Sequence, residues 1–160
     1  MSKLERWLTL VANLSVVVGI IFLAAEMRQN TAAVQAQTRD AITEKPMSYM
    51  GWAATSPELA AAHAAVQRGE VSALSEAELW MYRWFVIAQF REWENSYYQF
   101  QQGLFTVAEF EGRAAVWRSQ LLAEGGGRVF RNAWSASREG FSPPFRAEID
   151  RIVAEVEQAQ

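Results

Sequence analysis

Residues 75–103 read SEAELWMYRWFVIAQFREWENSYYQFQQG, and this stretch decides the fold. Ser75 with Glu78 three residues on has the spacing of a capping box, which starts a helix. Gly103 is the residue type that most readily ends one. From Leu79 the apolar positions Tyr82, Val86, Phe90, Trp93, Tyr97, Phe100 and Leu104 recur in alternating steps of three and four. That is the period of a single helix face, continued for seven turns. The first half is apolar on its other faces too, at Trp80, Met81, Trp84, Phe85 and Ile87. A helix apolar nearly all round is the centre of its domain, or lies partly against lipid or another subunit.

The flanking segments fit the same reading. Ser56-Pro57 supplies an N-cap and a proline at the first helical position, and Gly69 closes a short alanine-rich helix with Leu59, His63 and Val66 on one face. Thr106 opens the next helix, with Val107, Phe110, Ala114, Trp117 and Leu121 as its seam. Gly125-Gly126-Gly127 reads as a flexible turn, followed by a short segment carrying Phe130, Ala133 and Trp134. Phe141-Ser142-Pro143-Pro144 makes a rigid turn into a last helix, with Phe145, Ile149, Ile152 and Val156 inward. No strand, internal repeat or disordered linker is evident, so this part of the chain reads as a small all-α bundle.

Toward the N-terminus no charge occurs between Arg6 and Glu26. A helix over Leu8–Ala25 would measure roughly 27 Å, close to the hydrocarbon thickness of a bilayer at about 30 Å. Trp7, Lys3 and Arg6 stand where interfacial anchors belong. Asn13 and Ser15 can hydrogen-bond a neighbouring helix within the membrane, and Gly19 permits close approach. A cleavable signal peptide is disfavoured, since Leu23-Ala24-Ala25 puts leucine where a small residue is needed. A buried helix of a soluble bundle needs fewer apolar positions than these eighteen. The run is read as a transmembrane helix. It continues without Gly or Pro over 26–44 as a helical neck, with Met27, Val34 and Ala41 at heptad-compatible spacing, kinked or ended near Pro46. The expected organisation is thus a tail and span over 1–25, a neck over 26–45 and a bundle over 46–160. Lys3 and Arg6 on one flank, against Arg28 and Arg39 on the other, do not decide the side of the membrane.

Composition removes several classes of function. The chain has 160 residues, 51% hydrophobic, with fifteen Lys and Arg against eighteen Asp and Glu. The part after the span carries thirteen positive and seventeen negative charges. No basic field exists to hold nucleic acid. The absence of cysteine excludes disulfides, thiolate metal sites and a cysteine nucleophile. Glu92, Glu94, Glu109 and Glu111 suggest a carboxylate di-metal centre, but the Glu-x-x-His pair of such sites is missing and the single histidine, His63, lies on another helix. No hydroxyl or carboxylate stands at a spacing that marks His63 as a base. Gly125–Gly127 before Arg128 lacks the remainder of a phosphate loop. No cofactor, metal or catalytic residue is expected, and the chain is read as non-enzymatic.

Two features remain. Arg91, Glu94 and Asn95, set among aromatics, read as a structural polar network that fixes helix packing. Seven tryptophans are many for this length. Trp80, Met81, Trp84 and Phe85, off the main seam, suit either a protein interface, where such residues are enriched, or a slot for an apolar ligand.

The run into Glu26-Met27-Arg28-Gln29-Asn30-Thr31, with Trp93-Glu94-Asn95-Ser96-Tyr97-Tyr98-Gln99 and Phe141-Ser142-Pro143-Pro144-Phe145-Arg146, resembles a broad set of uncharacterised bacterial single-span membrane proteins. The resemblance covers most of the chain and implies a helical domain attached to the bacterial cell (inner) membrane. It brings no activity. The expected function is assembly, as a homo-oligomer or as an accessory subunit of a larger membrane complex, with membrane lipid and other subunits as partners. The alternative is a membrane-tethered module that binds a lipid, quinone or pigment in a Trp-rich pocket.

Overall fold

The computed structural model describes residues 2–158, with the side chains at 42, 43, 46 and 156–158 outside that description. The described residues form six α-helices: α1 (Lys3–Thr55), α2 (Pro57–Gln67), α3 (Glu76–Gln101), α4 (Val107–Leu122), α5 (Gly126–Ser137) and α6 (Pro143–Gln158). One-turn 3₁₀ segments lie at Val71–Ala73 and Arg138–Gly140, and the described residues include no strand. The fold is all-α. The chain divides into two compact units, Met1–Asp40 and Ala41–Gln160.

Within the first unit α1 is a lone helix, and it contains one stretch long and apolar enough to cross a membrane, with a mean hydropathy of 2.4. None of that stretch is buried. Leu8, Val11, Leu14, Val18, Ile21 and Phe22 are all more than half exposed. Such a surface is stable against hydrocarbon and not against water. Met27 and Val34, the stripe of the expected neck, are exposed as well.

The second unit is a bundle built around α3. Its caps are those the sequence encodes. The Ser56 hydroxyl accepts from the Leu59 N–H, and Ser75 with Glu78 and Thr106 with Glu109 form complete capping boxes. At Gly69 and Gly103 φ is +77° and +73°, and each glycine closes a Schellman motif that satisfies the last carbonyls of α2 and α3. Tyr82, Val86, Phe90 and Trp93 are buried along α3. They meet Leu59 and Val66 of α2, Phe110, Ala114, Trp117 and Leu121 of α4, Phe130, Ala133 and Trp134 of α5, and Phe145, Ile149 and Ile152 of α6. Val156, expected to face inward, lies outside the described side chains.

Three local expectations are corrected. Of the two outcomes expected at Pro46, a kink or an end, the end is overturned, since the helix runs to Thr55. A proline inside a helix costs about 3 kcal/mol, and Tyr49 and Ala53 beyond it pack on the core, so tertiary burial outweighs the break. Val107 and Leu79, placed in the seams of α4 and α3, are 63% and 39% exposed, because each lies in the first turn of its helix, beyond the reach of the core. Gly125–Gly127 is not a flexible turn. Gly126 and Gly127 are buried in the first turn of α5, and the loop packs directly on the end of α2. A Cβ at Gly125 would stand 2.6 Å from the Gln67 carbonyl oxygen and 2.7 Å from that of Val66. Only glycine permits this approach.

Gly112, in α4, is the natural contrast, since a Cβ there meets nothing within 4 Å. Gly125→Ala should lower stability by about 1–3 kcal/mol, as overpacking against fixed backbone does. Gly112→Ala should raise it by about 0.5–1 kcal/mol through helix propensity. Urea unfolding followed by circular dichroism measures both.

Candidate functional site

Residues 80 and 84 of α3 lie one turn apart, on the side away from the buried line of Tyr82, Val86 and Phe90. Trp80 is 50% and Trp84 61% exposed, and Leu79 beside them is exposed too. The Arg83 guanidinium lies 5.4 Å from the Trp80 ring centroid. Met81 is half-buried against the core. Phe85 departs from the grouping made on sequence. It is buried, with Tyr49 edge-on at 6.1 Å and His63 at 6.5 Å, because position 85 is a further 100° around the helix from Trp84 and on the core side.

Behind Phe85 lies a second buried line of α3, comprising Gln89, Glu92 and Ser96. Sequence reading placed none of them in the core, although their four-three-four spacing from Phe85 is the same helix period one step around. The Ser96 hydroxyl donates to Glu92 Oε1 at 2.7 Å, and Arg113 of α4 reaches both, with 3.3 Å to Ser96 Oγ and 3.5 Å to Glu92. Burial pushes the Glu92 carboxyl above the ordinary glutamate range, an effect that Ser96, Arg113 and Lys45 oppose without cancelling. Tyr82, fully buried, is pushed up by burial to about 12, so its hydroxyl keeps its proton beside His63 Nδ1 at 3.3 Å.

The expected polar network divides. Arg91 Nη1 donates to Glu94 at 2.9 Å and to the Gly140 carbonyl at 3.0 Å, while the Ser142 N–H donates to Glu94 at 2.7 Å. Arg91 also covers the Phe141 ring at 4.1 Å. Burial alone would raise the Glu94 carboxyl, but the Ser142 and Arg91 bonds outweigh it and hold it below the usual range. Together these contacts fasten the turn before α6 onto α3. Asn95 does not join them, for its Nδ2 is buried with no hydrogen-bond partner. The glutamates that suggested a metal centre point to separate tasks, with Glu92 on Ser96 and Arg113, Glu94 on the turn, and Glu109 on the α4 cap. Among the described residues no group of three metal-ligating side chains comes together.

A cavity of about 410 Å³ opens beside Phe85. Tyr49, Met50 and Ala53 of α1 form one wall, His63 and Gln67 of α2 another. Gln89 of α3, Gln120 and Ala123 at the end of α4, and Phe130 of α5 complete it. No tryptophan lines it. A smaller cleft of about 290 Å³ carries the charges of Lys45, Arg91 and Glu92 beside Trp52.

In the first unit Trp7 is 68% exposed, and Lys3, Arg6, Asn13 and Gly19 are exposed with it. The Ser15 hydroxyl donates to the Val11 carbonyl at 2.9 Å, so its proton is satisfied within its own helix. No family model, curated protein or solved structure matches the chain.

The raised Glu92 pKa has a definite sign in stability. The folded state holds the proton more tightly than the unfolded chain, so the resulting stabilisation is complete below about pH 4 and is lost as pH rises through the folded-state value. Glu92→Gln keeps an acceptor for Ser96 and does not titrate. The stability of the wild type relative to Glu92→Gln should therefore fall as pH rises above about 4 and level off once the folded-state value is passed, in urea titrations. A difference that grows with pH would contradict the assignment.

Proposed function

We propose that this chain is a membrane-anchored helical protein that acts in assembly, docking its helical bundle on a protein partner, either a second copy of itself or another subunit of a membrane complex. The observation that carries this reading is the pair Trp80 and Trp84, one turn apart on the central helix and at least half exposed. Packed indoles on a rigid helix bind with little loss of conformational freedom and are the side chains most often found at the energetic centre of interfaces. The aromatic demand of the core is met by Trp93, Trp117 and Trp134, so these two are surplus to folding. The exposed apolar stretch of α1 supports attachment to a membrane. The resemblance in sequence to bacterial single-span proteins supports placing that membrane in a bacterium.

A second reading, binding of an apolar molecule, is supported by the cavity of about 410 Å³, which falls in the size range of small-molecule sites. It is not the tryptophan-lined slot expected from sequence, since Trp80 and Trp84 lie outside it.

The assembly reading is tested on the full chain extracted in mild detergent. Light scattering should give a protein mass at least twice the 18.1 kDa of one chain, or a co-purifying protein. Trp80→Ser with Trp84→Ser should weaken association 30-fold or more, about 2 kcal/mol, and leave helix melting within about 0.5 kcal/mol of the wild type. A wild type that is monomeric and alone would sink the proposal.

A further inference from the structure

Gln89 sits near the middle of α3 and is 3% exposed, a polar side chain set at an interior position. It lines the 410 Å³ cavity. A buried carboxamide without a partner is unfavourable, and native structures rarely keep one without a reason. Gln120, on the wall that α4 supplies, is such a group, with its amide oxygen buried and unpartnered. Two amides, one of them with a buried and unpartnered oxygen, thus line one space whose remaining walls are largely apolar and include Tyr49, Phe85 and Phe130.

We propose that this cavity is a binding site for an uncharged, mostly apolar small molecule with a single hydrogen-bonding head, which pairs with the amides of Gln89 and Gln120. The inference rests on the ligand-binding reading and specifies its site and its chemistry. Apolar walls accept a ring or a short chain, and a volume of this size encloses a compact body. The carboxamides each offer a donor and an acceptor, so they receive a hydroxyl, an amide or a carbonyl. Among the described residues no Asp, Glu, Lys or Arg lines the cavity. An ion placed there would lose its hydration with no countercharge, which excludes anionic and cationic ligands. The His63 ring contributes at the wall, with Nδ1 taken by Tyr82.

The test uses the full chain in lipid nanodiscs and three probes of similar shape, with empty nanodiscs as the baseline for partition into lipid. They are 2-naphthol, 2-methylnaphthalene and 2-naphthoate, each followed by equilibrium dialysis at pH 7. Uptake above baseline is expected for 2-naphthol, about tenfold weaker for 2-methylnaphthalene, and absent for 2-naphthoate. Gln89→Leu removes one of the two amides that line the cavity. It should melt at or above the wild-type temperature while lowering 2-naphthol affinity about tenfold, a combination that a structural role for Gln89 would not produce. Ala53→Phe fills the cavity and should abolish uptake of both neutral probes; where that variant fails to fold, Gln120→Met serves with the same expected loss for 2-naphthol. No uptake of either neutral probe above baseline would overturn the ligand-binding reading itself, leaving a cavity that holds only water. Equal uptake of both neutral probes, unchanged in Gln89→Leu, would keep the binding reading and overturn the role of the amides. Equal uptake of 2-naphthoate would overturn the exclusion of charge.

Discussion

The stacked indole of Trp93 is the contact on which the bundle depends. Its ring lies nearly parallel to Trp117 of α4 at 5.4 Å and to Phe130 of α5 at 6.0 Å, while Phe90 meets it edge-on at 4.9 Å. From there the aromatic contacts run on through Trp134 to Phe141 and Phe145, so that α3, α4, α5 and α6 share one continuous set of rings. Each large ring buries 150–250 Å², which lets short helices of eleven to sixteen residues form a core that aliphatic side chains would fill less completely. The geometry also imposes demands. The end of α4 and the start of α5 must come close enough for Trp117 and Phe130 to flank one ring, and the glycine at 127, where a Cβ would stand 2.5 Å from the Leu121 carbonyl oxygen, makes that approach possible.

A helix that occupies the centre of a bundle exposes several faces to different neighbours. On α3, one face feeds the aromatic core, and the next carries Gln89, Glu92 and Ser96 into the interior. Glu92 and Ser96 find Arg113, whereas Gln89 opens on the cavity. On the face of Trp80 and Trp84 at least half of each indole residue remains exposed. The proposed assembly through the indoles and the proposed ligand binding beside Phe85 would therefore use well-separated faces of one helix.

Much of this was legible in the sequence, and the reasons are local. Ser56, Ser75 and Thr106 cap their helices through atoms three residues away, so the signal lies in a few letters. The seams of α3, α4 and α6 are equally local, because burial follows the helix period. The site was less legible. Phe85 resembles Trp84 in composition and adjoins it in sequence, yet the step of 100° between them takes one into the core and leaves the other exposed. Asn95 was grouped with Arg91 and Glu94 by proximity along the chain, whereas the distant bonds of those two run 49 and 48 residues away, to Gly140 and Ser142. A turn that distant leaves no mark in the neighbouring letters.

The sequence by itself determined the helical class, the caps, the inward seams and the apolar length of the first helix. Each of these depends on interactions within a turn or two, or on the simple transfer of apolar surface out of water. The tertiary structure alone decided which polar residues are buried, that α1 continues past Pro46, that Gly125 is a packing contact, and where the cavity lies. Those outcomes depend on free energies shared between segments remote in the chain. The burial of Tyr49 and Ala53 outweighs a proline, a carbonyl at Gln67 forbids a Cβ at position 125, and five helices together leave Gln89 facing open space. No window of sequence contains both halves of any of these balances.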